Sequence, residues 1–245
     1  MLNGRGVVKI TYQKEDYWNG EEWYWDTVYE SPVGDYYTAT ALKFIRDNIE
    51  DKGINTILDV GGGAGRIAIP LYEDGYNVDV LDIDSDALKL LKKREYNIKT
   101  ILGDIRSFNP DTKYDCIICI GTIKYLDDLD DFLESLSRCL ARDGYVVFEL
   151  LNPRSFRRII AKMLRKTKYS IEITPEACAE KLHSHGYKLL SKKGSYWLVP
   201  TSNCHYSIVV KIASIVEKIL LLNHIVSLSP QYYVCGRRFT DESAN

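Results

Sequence analysis

At 245 residues, 45% hydrophobic and 27% charged, the chain can bury a sizeable core and has neither a disordered nor a fibrous composition. A net charge of −2 and a sequence pI near 6.1 argue against general adhesion to nucleic acid. No uncharged apolar run is long enough for a bilayer span and no secretory leader is read at the start. Cys116-x-x-Cys119 has no second pair at zinc spacing, so the expectation is a cytoplasmic protein with reduced thiols and no metal.

Residues 1–40 differ from the rest: Tyr12, Tyr17, Trp18, Trp23, Tyr24, Trp25, Tyr29, Tyr36 and Tyr37 place nine aromatics within 26 positions. Such an arm can pack across a fold. An apolar helix is expected over Ala39–Ile49. Thr56–Val60 is a short β-branched apolar run, which predicts a buried strand. Gly61, Gly62, Gly63 and Gly65 then form a turn where backbone can approach a ligand closely. Ile67–Leu71 opens a helix that must hold Pro70 in its first turn. Asn77–Asp82 alternates as a second strand, with Asp84 or Ser85 capping the next helix. Leu102-Gly103-Asp104-Ile105 closes a third strand, and Tyr114–Ile120 reads as a buried fourth, its two cysteines on opposite faces. The acidic run from Leu126 to Leu133 is a solvated helix start, its carboxylates near the positive end of the helix. Leu136–Phe148 reads as helix, turn and fifth strand. Alternation of strands and helices from Thr56 to Glu149 implies right-handed crossovers and a parallel sheet.

The spacing of the glycines separates two nucleotide-binding families. A dinucleotide fingerprint counted from Gly61 would need glycine where Arg66 stands. The residues present are Asp59-x-Gly61-x-Gly63-x-Gly65, which resembles the D/E-x-G-x-G-x-G motif of class I S-adenosylmethionine-dependent methyltransferases. Asp82 lies 21 positions after Gly61, near the ~20 expected of a ribose-binding acid. Gly103-Asp104-Ile105, Tyr114-Asp115 and the Leu136–Phe148 segment match further family elements in order. Tyr145 replaces the family's second glycine in the last of these. The resemblance implies an α/β fold: a Rossmann-like, seven-stranded, mostly parallel sheet flanked by helices, with an antiparallel last strand. It also implies one domain over 1–245, with an arm or lid at 1–40, a donor-binding core at 41–150, and helical substrate-side insertions at 153–170 and 205–228.

Beyond the core, Phe156, Ile159, Ile160, Met163 and Leu164 recur at helical spacing, and Arg154, Arg157, Arg158, Lys162, Arg165, Lys166 and Lys168 fill the other faces. Such a helix can pack on the core, meet an anionic substrate, or make peripheral contact with a membrane. Thr174 caps a helix with Pro175 at its first position, stopping near His185-Gly186. Tyr187–Ser191 and Gln231–Arg237 read as the closing strands. Ser207–Leu228 is apolar but interrupted by Lys211, Glu217 and Lys218, which predicts a long helix that covers the substrate side or makes a homodimer contact.

The resemblance implies methyl transfer from S-adenosylmethionine, with S-adenosylhomocysteine released. Asp59, Gly61, Gly62, Gly63 and Gly65 would meet its methionine part and Asp82 its ribose. Ile83 would lie on the adenine face, Asp104 and Ile105 at the adenine edge, and Ile120 and Gly121 beneath the donor. Tyr36, with Tyr37, would belong to an aromatic lid. Relatives often carry His or Asn after strand four, where this chain has Lys124 and Tyr125, so Tyr125 and the distant His205 are the candidate catalytic residues. No Asn-Pro-Pro-Tyr-like motif follows strand four, and the expected acceptor is a small molecule (a lipid, quinone or amine) rather than nucleic acid. An aminopropyl or aminocarboxypropyl transferase using the same donor, or a catalytically silent partner-binding subunit, are the alternatives.

Overall fold

The computed structural model describes residues 31–164, 169–199 and 206–239. His205 and the aromatic arm from Tyr12 to Tyr29 lie outside the described residues, as do Arg165, Lys166 and Lys168. Strands β1 (Thr56–Val60), β2 (Asn77–Asp82), β3 (Lys99–Leu102), β4 (Tyr114–Cys119), β5 (Leu140–Leu151), β6 (Tyr187–Ser195) and β7 (Gln231–Arg238) form one sheet in the order β3-β2-β1-β4-β5-β7-β6. The pairs among β1 to β5 are parallel, and β7 runs antiparallel between β5 and β6. This is the expected fold class.

Seven helices accompany the sheet among the described residues: α1 (Pro32–Ile49), α2 (Ala68–Glu73), α3 (Ser85–Lys93), α4 (Leu129–Cys139), α5 (Phe156–Met163), α6 (Pro175–Ser184) and α7 (Ser207–Ile219). One face of the sheet buries Ile57, Val80, Ile118 and Val147 with Phe44 and Ile45 of α1, Leu71 of α2 and Leu91 of α3. The other buries Leu58, Ile117, Val146 and Phe148 with Phe132 and Leu136 of α4 and Leu182 of α6. Cys116 and Cys119 fall on opposite faces, as their odd spacing requires. The Asp115 carboxylate accepts from the Thr56 amide at 2.9 Å, fastening the start of β4 to the start of β1. The chain leaves β1 toward β2 on one side and returns to β4 on the other, so a crevice opens at the carboxyl ends of these strands.

Local signals survive folding well. Asp84 caps α3, accepting from Asp86 N at 2.9 Å, and Asp128 caps α4, accepting from Asp130 N at 2.7 Å. Thr174 accepts from Ala177 N at 3.3 Å, with Pro175 opening α6.

Four boundaries differ, the simplest being β6, which runs on to Ser195 instead of ending at Ser191. The helix expected from Ala39 begins at Pro32, so Tyr36 and Tyr37 are helical. The turn expected between helix and fifth strand is a bulge inside β5, where Leu140 pairs with Tyr114 and Tyr145 with Cys116. The long helix expected to reach Leu228 ends at Ile219. Leu221 is left-handed at φ 52°, and two 3-10 turns, Leu222–His224 and Val226–Leu228, follow. These turns bring Ser229 against Gly194 of β6, where a side chain at Gly194 would meet the Ser229 Cβ at 2.7 Å.

Candidate active site

The glycine turn follows β1 directly and is held by its neighbours. Gly61, at φ +72°, donates its amide to Leu81 O at 2.7 Å, and any side chain there would strike the Thr122 hydroxyl at 2.2 Å. Gly63 donates its amide to Asp82 Oδ2 at 2.8 Å, while Asp82 Oδ1 accepts from Asp84 N at 2.8 Å. The expected ribose acid is therefore fixed against the expected methionine turn. Burial raises the Asp82 carboxyl above the ordinary range, against the pull of the amides.

Asp59 lies beneath the same turn, 2% exposed, and among the described residues its Oδ2 has no hydrogen-bond partner. Burial pushes its carboxyl up to about 7, opposed by the guanidinium of Arg66, which donates to Thr38 Oγ1 at 3.2 Å. An orphaned buried carboxylate oxygen fits a ligand that brings a cationic donor, such as the amino group of S-adenosylmethionine. Gly62 is the lid of this arrangement: a Cβ there would sit 2.6 Å from Asp59 Oδ2. Gly62→Ala is accordingly expected to displace Asp59 and weaken S-adenosylhomocysteine binding at least tenfold, measured calorimetrically. Gly65 serves packing, since a Cβ there would meet Leu91 Cδ1 at 2.6 Å.

At the carboxyl ends of β2 and β3, Ile83 is 64% exposed and Leu102, register partner of Asp82, is 63% exposed. Two bared aliphatic side chains beside Asp82 offer flat apolar surface suited to adenine. Leu102 was missed because it reads as an ordinary strand end. Asp104 is clasped by Arg106 at 2.6 Å, whose guanidinium holds the carboxyl below the ordinary range. Ile105 is 4% exposed and its side chain packs in the core, leaving only its backbone for a ligand edge.

On the β4 side, Ile120 is buried and Gly121 is left-handed at φ +82°. Tyr125 meets Tyr169 edge-on at 5.5 Å, with Lys124 Nζ 5.2 Å and 5.0 Å from the two ring centres. Tyr36 donates to Glu217 Oε2 of α7 at 2.6 Å. Glu217 is fully buried and also accepts from Leu198 N at 2.6 Å and Val199 N at 3.1 Å. The phenol of Tyr36 thus ties α1 to α7. The adjacent Tyr37 sets its ring against Tyr196, tilted by 30° with ring centres 3.7 Å apart. A second carboxyl that sequence reasoning passed over, Glu149 near the end of β5, is 7% exposed.

Among the described residues, the basic side chains of α5 and its approach are spent within the chain. Arg154 pairs with Glu176 at 3.1 Å, Lys162 with Glu172 at 2.7 Å, Arg158 also with Glu172, and Arg157 donates to Val199 O. Its apolar stripe faces outward instead, with Phe156 76% and Met163 78% exposed.

A methyltransferase-domain family model matches residues 34–192, well over half of the chain. Among curated proteins, a ubiquinone biosynthesis O-methyltransferase of Rickettsia akari is 31% identical over 100 residues, covering 39% of this chain and 40% of that protein. The Rickettsia bellii counterpart is 24% identical over 156 residues, covering 62% and 63%. A probable (S)-tetrahydroprotoberberine N-methyltransferase 2 of Papaver bracteatum is 23% identical, covering 62% and 44%. The matched region spans less than two thirds of each of these relatives. Solved structures share the fold: a SAM-dependent methyltransferase from Archaeoglobus fulgidus has TM-score 0.59 at 19% identity, covering 83% of this chain and 94% of that one. Magnesium protoporphyrin IX methyltransferase from Synechocystis PCC 6803, with bound SAH, has TM-score 0.64 at 13% identity, covering 87% and 92%. With the glycine turn, its acid and the sheet order all in place, the chain belongs to the methyltransferase-domain family and carries its Rossmann-like sheet.

Proposed function

We propose that this protein transfers a methyl group from S-adenosylmethionine to a hydroxyl of a small molecule. The observation that carries the reading is the coupled turn: Asp82 holds the Gly63 amide while Asp59, directly beneath, keeps an oxygen without a partner among the described residues. When bound, S-adenosylmethionine supplies a methyl carbon already activated by a positive sulfur. The chain's task is then alignment and exclusion of water, effects that can contribute ~7–11 kcal/mol without a covalent intermediate. In this reading Asp82 fixes the ribose, Asp59 attracts the amino group, and Ile83 with Leu102 covers the adenine. The relatives named as ubiquinone biosynthesis O-methyltransferases support oxygen as the acceptor atom, without identifying the acceptor.

Calorimetric titration with S-adenosylhomocysteine, followed by a methyl-labelled donor and a panel of phenols, lipids and amines, tests this. A labelled aryl methyl ether is the expected product. Failure to bind the nucleoside supports a silent partner-binding subunit, and binding with aminopropyl or aminocarboxypropyl product supports the other alternative.

The exposed apolar helices favour an acceptor presented at a lipid surface. Ile208, Ile212 and Ile219 of α7 are 62%, 55% and 72% exposed, flanked by exposed Lys211 and Lys218. Arg157's bond to Val199 and Glu217's bonds to Leu198 and Val199 place α5 and α7 on either side of one loop. Ile208→Ser/Ile212→Ser/Ile219→Ser is expected to lower sedimentation with anionic vesicles severalfold while leaving S-adenosylhomocysteine affinity unchanged; unaltered sedimentation would rule this out. No helix among the described residues is long and apolar enough to cross a membrane.

A further inference from the structure

We propose that Glu149 is the acceptor-side base of this site, taking the proton from a hydroxyl acceptor held between the carboxyl ends of β4 and β5. The inference rests on the methyl-transfer reading above and deepens it. Register supplies the position. Asp59 pairs with Ile118 and Ile118 with Val147, so Glu149, two residues on, projects from the same face as Asp59 at the level of Gly61 and Ile120. That face is the one covered by α1, where Phe44 stacks on Tyr233, the register partner of Glu149, at 5.5 Å. Glu149 therefore stands beside the glycine turn, away from Asp82, on the side of the crevice that the ribose and adenine contacts leave free.

Its surroundings suit an oxygen that becomes anionic. Among the described residues nothing hydrogen-bonds the Glu149 carboxyl, although the residue is 7% exposed. Burial raises its affinity for a proton, and the cations acting against this are Lys124, from the loop after β4, and Arg66, from the glycine turn. The neighbouring phenols of Tyr196 and Tyr233 lie 3.4 Å apart and are held far above their ordinary range by burial, so they remain donors. Two cations acting on one carboxyl disfavour an ammonium acceptor and favour a phenol or enol. The step balances: the acceptor oxygen gains the methyl group and passes its proton to the Glu149 carboxylate, and neutral S-adenosylhomocysteine leaves with the bonding pair on sulfur.

The test uses the full chain saturated with S-adenosylhomocysteine and 4-nitrophenol as probe. At about pH 8.5 the free probe is a phenolate, and a phenolate beside Glu149 forces the two groups to share one proton. Calorimetry in buffers of different ionisation enthalpy is expected to show uptake of roughly one proton on binding to the native protein. Glu149→Gln should abolish the uptake while nucleoside affinity stays within about threefold. 4-Nitroanisole, which presents no ionisable oxygen, should bind the native protein without uptake, a comparison that needs no variant. Absence of probe binding, equal uptake in Glu149→Gln, or equal uptake with the anisole would each overturn the assignment. So would loss of nucleoside affinity in Glu149→Gln, which would move the residue to the donor site. Failure of the native protein to bind S-adenosylhomocysteine at all would instead sink the underlying function, and the two failures are thereby distinguishable.

Discussion

Asp82→Ala is expected to weaken S-adenosylhomocysteine binding by one to two orders of magnitude without unfolding the protein. The carboxylate already accepts from Gly63 N and Asp84 N, at 2.8 Å each, which aims it at the crevice and leaves further lone pairs for ribose hydroxyls. A hydrogen bond to a charged acceptor contributes ~1.5–3 kcal/mol, and 1.4 kcal/mol is about tenfold in affinity. Alanine would also release the Gly63 amide and with it the turn's geometry, adding to the loss. Stability should respond far less, because burial of this carboxyl costs the folded state something that its removal returns. Asp82→Asn keeps one acceptor oxygen and should fall between the two. Calorimetric affinities paired with thermal melts decide the matter: an alanine variant binding within twofold of the native protein refutes the ribose assignment, and a large drop in melting temperature would recast Asp82 as a structural staple.

The parts of the site legible in the sequence were those whose cause is local. Asp82 ends an alternating strand, Asp84 caps the next helix by bonding two residues ahead, and the glycine spacing needs only counting. What stayed hidden depends on contacts distant along the chain. Glu149 drew no reading and Glu217 read only as a break in an apolar run, yet Glu217 is buried because Leu198, Val199 and Tyr36 converge on it. The basic stripe of α5 read equally as a solvated face or a contact for anions, since nothing near it in sequence announces that Glu172 and Glu176 fold back onto it. Leu221 breaks the expected long helix without a glycine or proline to signal it, where the chain must turn to seat Ser229 on β6. The Asp143-Gly144 bulge, with Asp143 at φ +60°, likewise replaces a turn that looked sufficient in isolation.

Asp59 makes the second large expectation one of pH. In the unliganded protein its carboxyl is pushed up to about 7 from an ordinary value of 3.8, by burial first, with Asp82 adding to the rise and Arg66 resisting it. The folded state therefore binds its proton more tightly than the unfolded chain. Stability from this group is complete below about pH 4 and falls as pH rises through 7, by up to ~1.4 kcal/mol per unit in between. Donor binding has the opposite slope. An ammonium beside Oδ2 favours the ionised carboxyl, so below about pH 7 binding must first remove the proton and affinity should fall by up to tenfold per unit. Between about pH 5.5 and 7.5 the amino group of S-adenosylhomocysteine stays largely charged, and the slope can be read there. Asp82 and Glu149 are raised in the same direction, so the native slope is composite and the difference from Asp59→Asn isolates Asp59. The asparagine variant should melt higher than the native apo-protein at about pH 8, because a buried charge is gone. It should bind the nucleoside more weakly there and flatten most of the affinity slope. Parallel slopes in the two proteins would mean that the orphaned oxygen beneath the glycine turn never meets the amino group.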